Sequence, residues 1–479
     1  MVTVKTFVTS PQCVLSRPAP VAAPMSLPVC MWLLALMTFA AGTSRNDPLK
    51  ELLIATLQPL LDERANRLNS GFQLAFKNEH VTLELASGAT RRTSDPSRYP
   101  VPPMTTSDRL LFGSVTKMYT TASIMHLVER GLVGLDDPAS IHVDAVLAAS
   151  NLTSLEALFG PSAARVTVRY LLSMRSGIYD YDDDETRAYQ NAHPDTDLSP
   201  LDDLSFASTR GHKAPLYEPG THQDYSSTNF ELLGLILQRY AGASTWDQLD
   251  QRRAAFPTST LQTRFPNTTF ALHGKCSEHT RVHGYEPDDQ YGMNLDTAFL
   301  SCTNGFTCGN MIAPAREVAD WVWSLYRPGD ESIVSASAAA QMREIYDWYG
   351  LGTMDLPSYG QTDKRYCRYG HFGVTYGFTA NAAYNPGFDF SIAWGTNQED
   401  PGQTATHGAQ YDFLMQFDCE LLSAVVGVLS AGTEPPLNCA WAAVNASQGG
   451  VCKATAGNKE EPHVGSGSQN ESGSRRRNG

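Results

Sequence analysis

The stretch LLFGSVTKMYTTASIMHLVERG, Leu110 to Gly131, carries the most information in this chain. It reads as a strand end, a turn at Gly113 and a helix that stops at Gly131. Ser114 and Lys117 lie three apart, so a helix places them on one face. The serine sits where unpaired helix N–H groups favour a developing negative charge. A serine with a nearby lysine is the pairing that Ser-Lys acyl transfer requires. No other lysine in the chain follows a serine at that spacing.

Working outward, Asp47 to Leu68 reads as an amphipathic helix. GFQLAFK (Gly71 to Lys77) and HVTLELA (His80 to Ala86) alternate like strands, and Asn78-Glu79 between them predicts an antiparallel hairpin. Past Leu132 the pattern becomes helical, with acidic and Pro/Gly loops, until about Asn310. Then Ala313 to Tyr326 predicts a helix, and YGLGTMD (Tyr349 to Asp355) a strand. TYGFTANAAY (Thr375 to Tyr384) and FDFSIAWGTN (Phe388 to Asn397) read as strands joined at Asn385-Pro386-Gly387. A last apolar helix is expected over about Ala405 to Leu429. Strands at both ends around a helical middle predict an α/β (α+β) domain. Its antiparallel sheet is completed by distant segments, about 47–131 and 311–429, with a helical insertion over about 132–310.

Length and charge narrow the function. The chain has 479 residues and a formal net charge of −14, enough for a large core and the wrong sign for a nucleic-acid surface. PVCMWLLALMTFAAG (Pro28 to Gly42) is too short to span a membrane comfortably and fits a signal peptide over 1–42, with Met25 as an alternative start. Secretion is the expectation, with no span in the mature chain and a retained signal anchor as the alternative. Asn151, Asn267, Asn445 and Asn470 begin sequons. Seven cysteines remain after the signal, so one thiol is left over; the local pairings expected are Cys302 with Cys308 and Cys439 with Cys452. No Cys-x-x-Cys pair occurs, and neither metal nor cofactor is expected. The hydrolase domain is expected over 43–432, and a cysteine-bearing extension and a disordered tail over 433–479.

Two further segments complete a site. PGTHQDYSSTNFELLG (Pro219 to Gly234) holds Tyr225-Ser226-Ser227, and RYGHFGVTYGF (Arg368 to Phe378) holds His371-Phe372-Gly373. In that order, Ser114-x-x-Lys117, Tyr225-x-Ser227 and His371-x-Gly373 resemble the motifs of the serine β-lactamase and penicillin-binding D,D-peptidase superfamily. The class C-like branch, with its esterases and D-aminopeptidases, is the nearest in pattern. YLLSMRSGIYDY (Tyr170 to Tyr181) and CGNMIAPAREVADWV (Cys308 to Val322) resemble supporting segments of the same family.

The resemblance implies that the antiparallel sheet is flanked by helices and that the insertion is an all-helical subdomain. It also implies an acyl-enzyme on Ser114, with Lys117 and Tyr225 managing its proton. A lysine acts as a base only where burial and nearby positive charge destabilise its ammonium. The backbone N–H groups of Ser114 and Val374 would form the oxyanion hole, with Gly373 allowing close approach. Two positions depart from the family: Ser227 stands where an asparagine is common, and His371 where a lysine is. Asn229 is not assumed to replace the missing amide. His371 is expected near Tyr225 or a substrate carboxylate, holding it less firmly than lysine would. The run Asp180, Asp182, Asp183, Asp184 and Glu185 reads as a solvated charged loop beside the cleft. The expected substrate is a small molecule or peptide with an ester, amide or peptide bond, and little lactam hydrolysis is expected. A non-catalytic binding or scaffold protein of the same fold is the alternative. A Ser-His-Asp hydrolase is disfavoured because no Gly-x-Ser-x-Gly elbow occurs.

Overall fold

The computed structural model describes residues 47–93, 100–288, 293–327, 329, 332–399, 412–442 and 450–453. The apolar N-terminal run, Met25, Asn445, Asn470 and the tail beyond 453 lie outside the described residues.

The main sheet has six antiparallel strands: β1 (Phe72–Lys77), β2 (Thr82–Ser87), β3 (Met354–Asp355), β4 (Tyr369–Thr375), β5 (Phe378–Asn385) and β6 (Phe390–Thr396). Their spatial order is β2-β1-β6-β5-β4-β3. The N-terminal hairpin therefore joins the C-terminal meander at one seam, with Phe72 opposite Thr396 and Lys77 opposite Ser391. Alternation along β1 sorts its side chains. Phe72, Leu74 and Phe76 face one core with Leu83, Leu85, Ile392 and Trp394, while Ala75 faces the other with Ala382 and Ala393.

Helices cover both faces. α1 (Pro48–Leu68) is capped by Asp47, whose Oδ1 accepts from Leu49 N. Its Leu53, Leu57, Leu61 and Ala65 recur every four residues and form the buried stripe against the sheet. The second helix on that face spans Asp412–Leu429, and its Phe417, Leu421 and Val425 share the same core. Residues 405–411 of the expected helix lie outside the described set. On the opposite face, Ala315–Tyr326 packs with Trp321 and Val318 in the larger core. The small alanines of the sheet let that helix come close.

One buried carboxylate ties these layers together. Asp418, on the C-terminal helix, faces the Arg368 guanidinium at 2.8 Å, both side chains 1% exposed. It also accepts from Asn381 Nδ2 at 2.6 Å, Trp394 Nε1 at 3.0 Å and Tyr359 OH. Burial alone would raise its pKa, but Arg368 and these donors hold it below the usual carboxylate range.

The second lobe is largely helical, including Ser140–Ala149, Asp184–Ala192, Pro200–Arg210 and Thr228–Ala241. It is not purely so. Thr269–Phe270 pairs with Met311–Ala313, which also pairs with Leu110–Leu111, and Tyr285–Asp288 pairs with Met293–Asp296 in a two-stranded ribbon. These runs are too short for alternation to show in the sequence. The expected strand over Tyr349 to Asp355 is also corrected. Only Met354–Asp355 joins the sheet, because the chain folds back at Gly352 (φ 56°) and bridges Tyr349 to Met354.

The expected cysteine pairings are corrected as well. Cys302 pairs with Cys276, Cys439 with Cys419, and Cys452 with Cys367, leaving Cys308 free and buried. A bridge between Lys275 and Ser301 brings the neighbouring Cys276 and Cys302 together, whereas Cys308 turns into the core. Proximity in sequence does not encode these approaches. Asn151 and Asn267 are both exposed, although Asn267 Nδ2 donates to Glu317 Oε1 at 2.8 Å. Among the described residues, no helix is long and apolar enough to cross a membrane.

Replacing Asp418 with alanine would leave Arg368 buried without its counter-charge. The expected cost is about 3–5 kcal/mol, read as a fall in the urea unfolding midpoint of Asp418→Ala. A midpoint equal to the parent's would contradict the role given to this ion pair.

Candidate active site

Ser114 lies in a short 3-10 turn, Gly113–Val115, that runs into the helix Thr116–Glu129. Thr116 fixes the junction: its Oγ1 donates to Gly113 O at 2.6 Å and accepts from Met311 N at 3.0 Å. Lys117, one turn along, is fully buried. Its Nζ donates to Ser114 Oγ at 3.0 Å, Ser227 Oγ at 3.2 Å and Cys308 O at 3.1 Å. Tyr225 OH donates to Ser114 Oγ at 2.8 Å. Two segments far apart in sequence thus meet at the Ser114 hydroxyl, and a third, at Cys308, joins them at Lys117 Nζ.

The expected destabilisation of the Lys117 ammonium is not what the structure provides. Burial acts to lower its pKa, but Tyr225, Cys308 and Asp180 outweigh that and hold it above the usual lysine range. Three acceptors match its three donors. Burial pushes the Tyr225 phenol upward, with the Lys117 charge pulling the other way. At neutral pH the resting pair is therefore an ammonium and a neutral phenol.

Strand β4 forms the opposite wall. Thr375 and Phe378 flank the two-residue turn Tyr376-Gly377, whose φ values of 45° and 74° suit a type I′ hairpin. Those flanking residues form a hydrogen-bonded pair, so at the next position the Val374 N–H points away from β5, toward the Ser114 turn. The approach is close. A Cβ on Gly373 would lie 1.9 Å from Phe112 O and 3.1 Å from Ser114 N, and one on Gly113 would lie 2.8 Å from Val374 N. Only glycine fits at either position. The Ser114 and Val374 backbones thereby come close together where both line the cleft.

Ser227 and Asn229 behave differently from each other. Ser227 Oγ takes the Lys117 bond, and its N–H donates to Asp180 Oδ1 at 2.9 Å. Asn229 turns away, its Oδ1 accepting from Ser176 Oγ at 2.5 Å. His371 also departs from expectation. It is 1% exposed, its Nε2 bonds Tyr349 OH at 2.8 Å, and its Nδ1 pairs with Phe372 O. Burial first, and the Lys117 charge second, lower its pKa to about 3. It is a neutral, internally satisfied histidine in the cleft wall, with no charge to offer a substrate carboxylate. Sequence reasoning missed its partner Tyr349, and also Trp348, which lines the cleft and stacks near Tyr225 at 6.4 Å. Both fell inside the segment misread as extended or just before it, and no local signal marks them.

The acidic run is solvated at Asp182, Asp184 and Glu185, as expected, while Asp180 and Asp183 are half-buried and bonded. Asp183 caps the helix Asp184–Ala192 and faces Arg210, and Glu185 also pairs with Arg210 at 3.1 Å. Asp184 and Glu185 sit in its first turn, where the helix dipole favours acids. Asp182 lines the cleft, which encloses about 380 Å³ between Ser114, Tyr225 and the helical lobe. Among the described residues, no group of three or more His, Cys, Asp or Glu side chains is placed to hold a metal ion.

Because His371 is neutral over the whole physiological range, its imidazole nitrogen resonances should not shift between about pH 8 and pH 4.5. A titration midpoint near 6.5 in the NMR spectrum would contradict the buried, Tyr349-bonded geometry.

The Beta-lactamase family model matches residues 76–416. A D-aminopeptidase of Brucella ovis is 29% identical over 189 residues, covering 38% of this chain and 32% of the relative, so the match spans about a third of that protein's length. Among solved structures, the D-amino acid amidase of Ochrobactrum anthropi SV3 superposes with a TM-score of 0.59 at 19% identity, over 80% of this chain and 99% of that one. The D-stereospecific amidohydrolase of a Streptomyces species gives 0.56 at 21% identity, over 72% and 94%. At such identities the two structures speak for the fold alone. The matched span, the fold and the clustered Ser-Lys-Tyr group agree: the chain belongs to the beta-lactamase family and is a serine hydrolase.

Proposed function

We propose that this hydrolase is secreted, forms an acyl-enzyme on Ser114, and acts on ester, amide or peptide bonds rather than on β-lactams. The observation that carries this is the double contact at Ser114 Oγ, from Lys117 Nζ at 3.0 Å and Tyr225 OH at 2.8 Å, inside a cleft flanked by the Ser114 and Val374 amides. Three disulfides are compatible with an oxidising compartment.

The resting ammonium–phenol pair holds one proton more than a base can. Loss of that proton leaves Lys117 and Tyr225 sharing a single one, and either tautomer can then accept from Ser114. Ser114 Oγ attacks the carbonyl carbon while its proton passes to the pair. The oxyanion is held by the two amides. On collapse, Tyr225 OH, 2.8 Å from Oγ, protonates the leaving group. Water attacks the acyl-serine by the same route, its proton going to the pair and then back to Ser114.

The expectation against lactams rests on the cleft's charge. His371 is neutral and the Lys117 ammonium is consumed by internal acceptors, so neither is available to anchor a substrate carboxylate. The non-catalytic reading rested on Ser227, and it is weakened because Ser227 Oγ accepts from Lys117 as an active site requires.

A fluorophosphonate probe should label the purified protein and fail to label Ser114→Ala; equal labelling of the two would sink the nucleophile assignment. Tyr225→Phe should lower kcat for a short-chain p-nitrophenyl ester by roughly 10²–10⁴-fold, the usual share of a general acid–base group. Because both members of the pair have raised pKa values, kcat/KM for that neutral ester should climb close to tenfold per unit from about pH 6 to 9. A bell centred near pH 6.5 would point to a histidine base instead. A chromogenic cephalosporin should turn over at least about 100-fold more slowly than the ester, equivalent to some 2.7 kcal/mol in the barrier.

A further inference from the structure

We propose that the Glu286 carboxylate is a recognition group for a cationic amine on the substrate, so that the cleft selects aminoacyl amides, esters or peptides with a free amino end. The proposal deepens the hydrolase reading above and rests on it for the identity of the cleft.

Glu286 lines the same cleft as Ser114 yet is only 7% exposed. It sits on the two-stranded ribbon Tyr285–Asp288 and Met293–Asp296. The ribbon is held against the turn that follows the oxyanion strand. Tyr285 N donates to Gly377 O at 3.1 Å, Thr297 Oγ1 to Tyr376 O at 2.6 Å, and Glu399 N to Tyr285 O at 3.0 Å. The carboxylate is therefore positioned by the same hairpin that presents Val374 to the nucleophile.

Its charge is not matched. Among the described residues, the Glu286 carboxylate accepts no hydrogen bond. The nearby cation is Arg187, on the helix Asp184–Ala192, and it gives its hydrogen bond to Glu399 Oε1 at 2.9 Å, where Glu399 is fully buried. Two carboxylates thus face one guanidinium, and Asp182 adds a third acid from the loop before that helix. The Tyr376 phenol is neutral, and its oxygen accepts from Gln190 Nε2 at 3.2 Å and Asn304 N at 3.1 Å. Burial first, then Glu399, push Glu286 up to about 7, with Arg187 pulling the other way.

An ammonium supplies what this wall lacks, one positive charge and donors for a buried acceptor. A substrate carboxylate brought to the same place would meet Asp182 and Glu286, and the one guanidinium there, Arg187, is already paired with Glu399. The volume of about 380 Å³ suits a single amino-acid derivative.

Calorimetry on full-length Ser114→Ala protein reads this without turnover. The probes are phenylalaninamide, each enantiomer in turn, and N-acetylphenylalaninamide, which differs by the charged amine. At pH 8 one amine enantiomer at least should bind about tenfold or more tighter than its acetylated form, the scale of one charge-assisted contact. That advantage should shrink about fourfold on going from pH 8 to pH 6, because Glu286 takes up its proton while the probe's α-amine, about half charged at pH 8, becomes fully charged. Adding Glu286→Gln should remove the preference while the acetylated probe still binds; Glu286→Asp should retain part of it. Absence of any preference in the Ser114→Ala protein, or an unchanged preference in Glu286→Gln, overturns the proposal. If Glu286→Gln binds neither probe, loss of the preference in Glu286→Asp overturns it too, and its retention there supports it. Fluorophosphonate labelling at Ser114 tests the hydrolase reading separately, so a failure of either shows as a distinct result.

Discussion

The rest of this structure depends on how closely the Phe112–Ser114 turn is pressed against strand β4. A Cβ on Gly113 would strike the Val374 backbone and one on Gly373 would strike Phe112 O, so neither position has room for a side chain. That contact joins the helix Thr116–Glu129 to the sheet. It also brings the Val374 backbone beside the Ser114 turn. The surrounding packing must hold this approach, and it does so from both ends. Thr116 clamps the turn to Met311, and Asp418 clamps Arg368, at the foot of β4, to β5, β6 and the C-terminal helix.

Charge follows from that geometry. Bringing Lys117 under the turn buries it completely, yet three oxygen acceptors keep it protonated. A buried ammonium that is fully satisfied acts as a fixed positive field at Ser114 and Tyr225. The same field, together with burial, keeps His371 neutral. The departure at His371 is therefore more than a lysine-to-histidine swap in a conserved geometry. The imidazole retires into the wall with Tyr349, and what remains at the cleft surface is acidic. Asp182 and Glu286 line that surface on the helical side, with Arg187 already paired.

Legibility in the sequence tracked the range of the interactions. The Ser114 turn and helix, the β1–β2 hairpin and the β5–β6 pair were readable because each is specified by residues within a few positions. Alternation, Asn-Glu and Pro-Gly turns and the Gly131 stop are local signals. Tyr225 and Ser227 were found through a motif, and the structure brings both within hydrogen-bond distance of the Ser114–Lys117 pair. The disulfides were misread because Cys276 and Cys302, or Cys367 and Cys452, meet only after distant segments dock. The bonded state of Asp180 and Asp183 was not legible because their partners, the Ser227 amide and Arg210, lie elsewhere in the chain.

By itself, the sequence determined most of the sheet-and-helix plan, because short-range periodicity and turn residues specify those elements locally, and through ordered motifs it offered Ser114, Lys117 and Tyr225 as candidates. Only the tertiary structure decided the state of those groups. Whether Lys117 is charged, whether His371 can meet a substrate and whether Glu286 is left without a partner depend on burial and on which distant side chains fill the remaining hydrogen-bond valences. Electrostatics in a low-dielectric interior are set by neighbours in space, and neighbours in space are what a linear pattern does not contain.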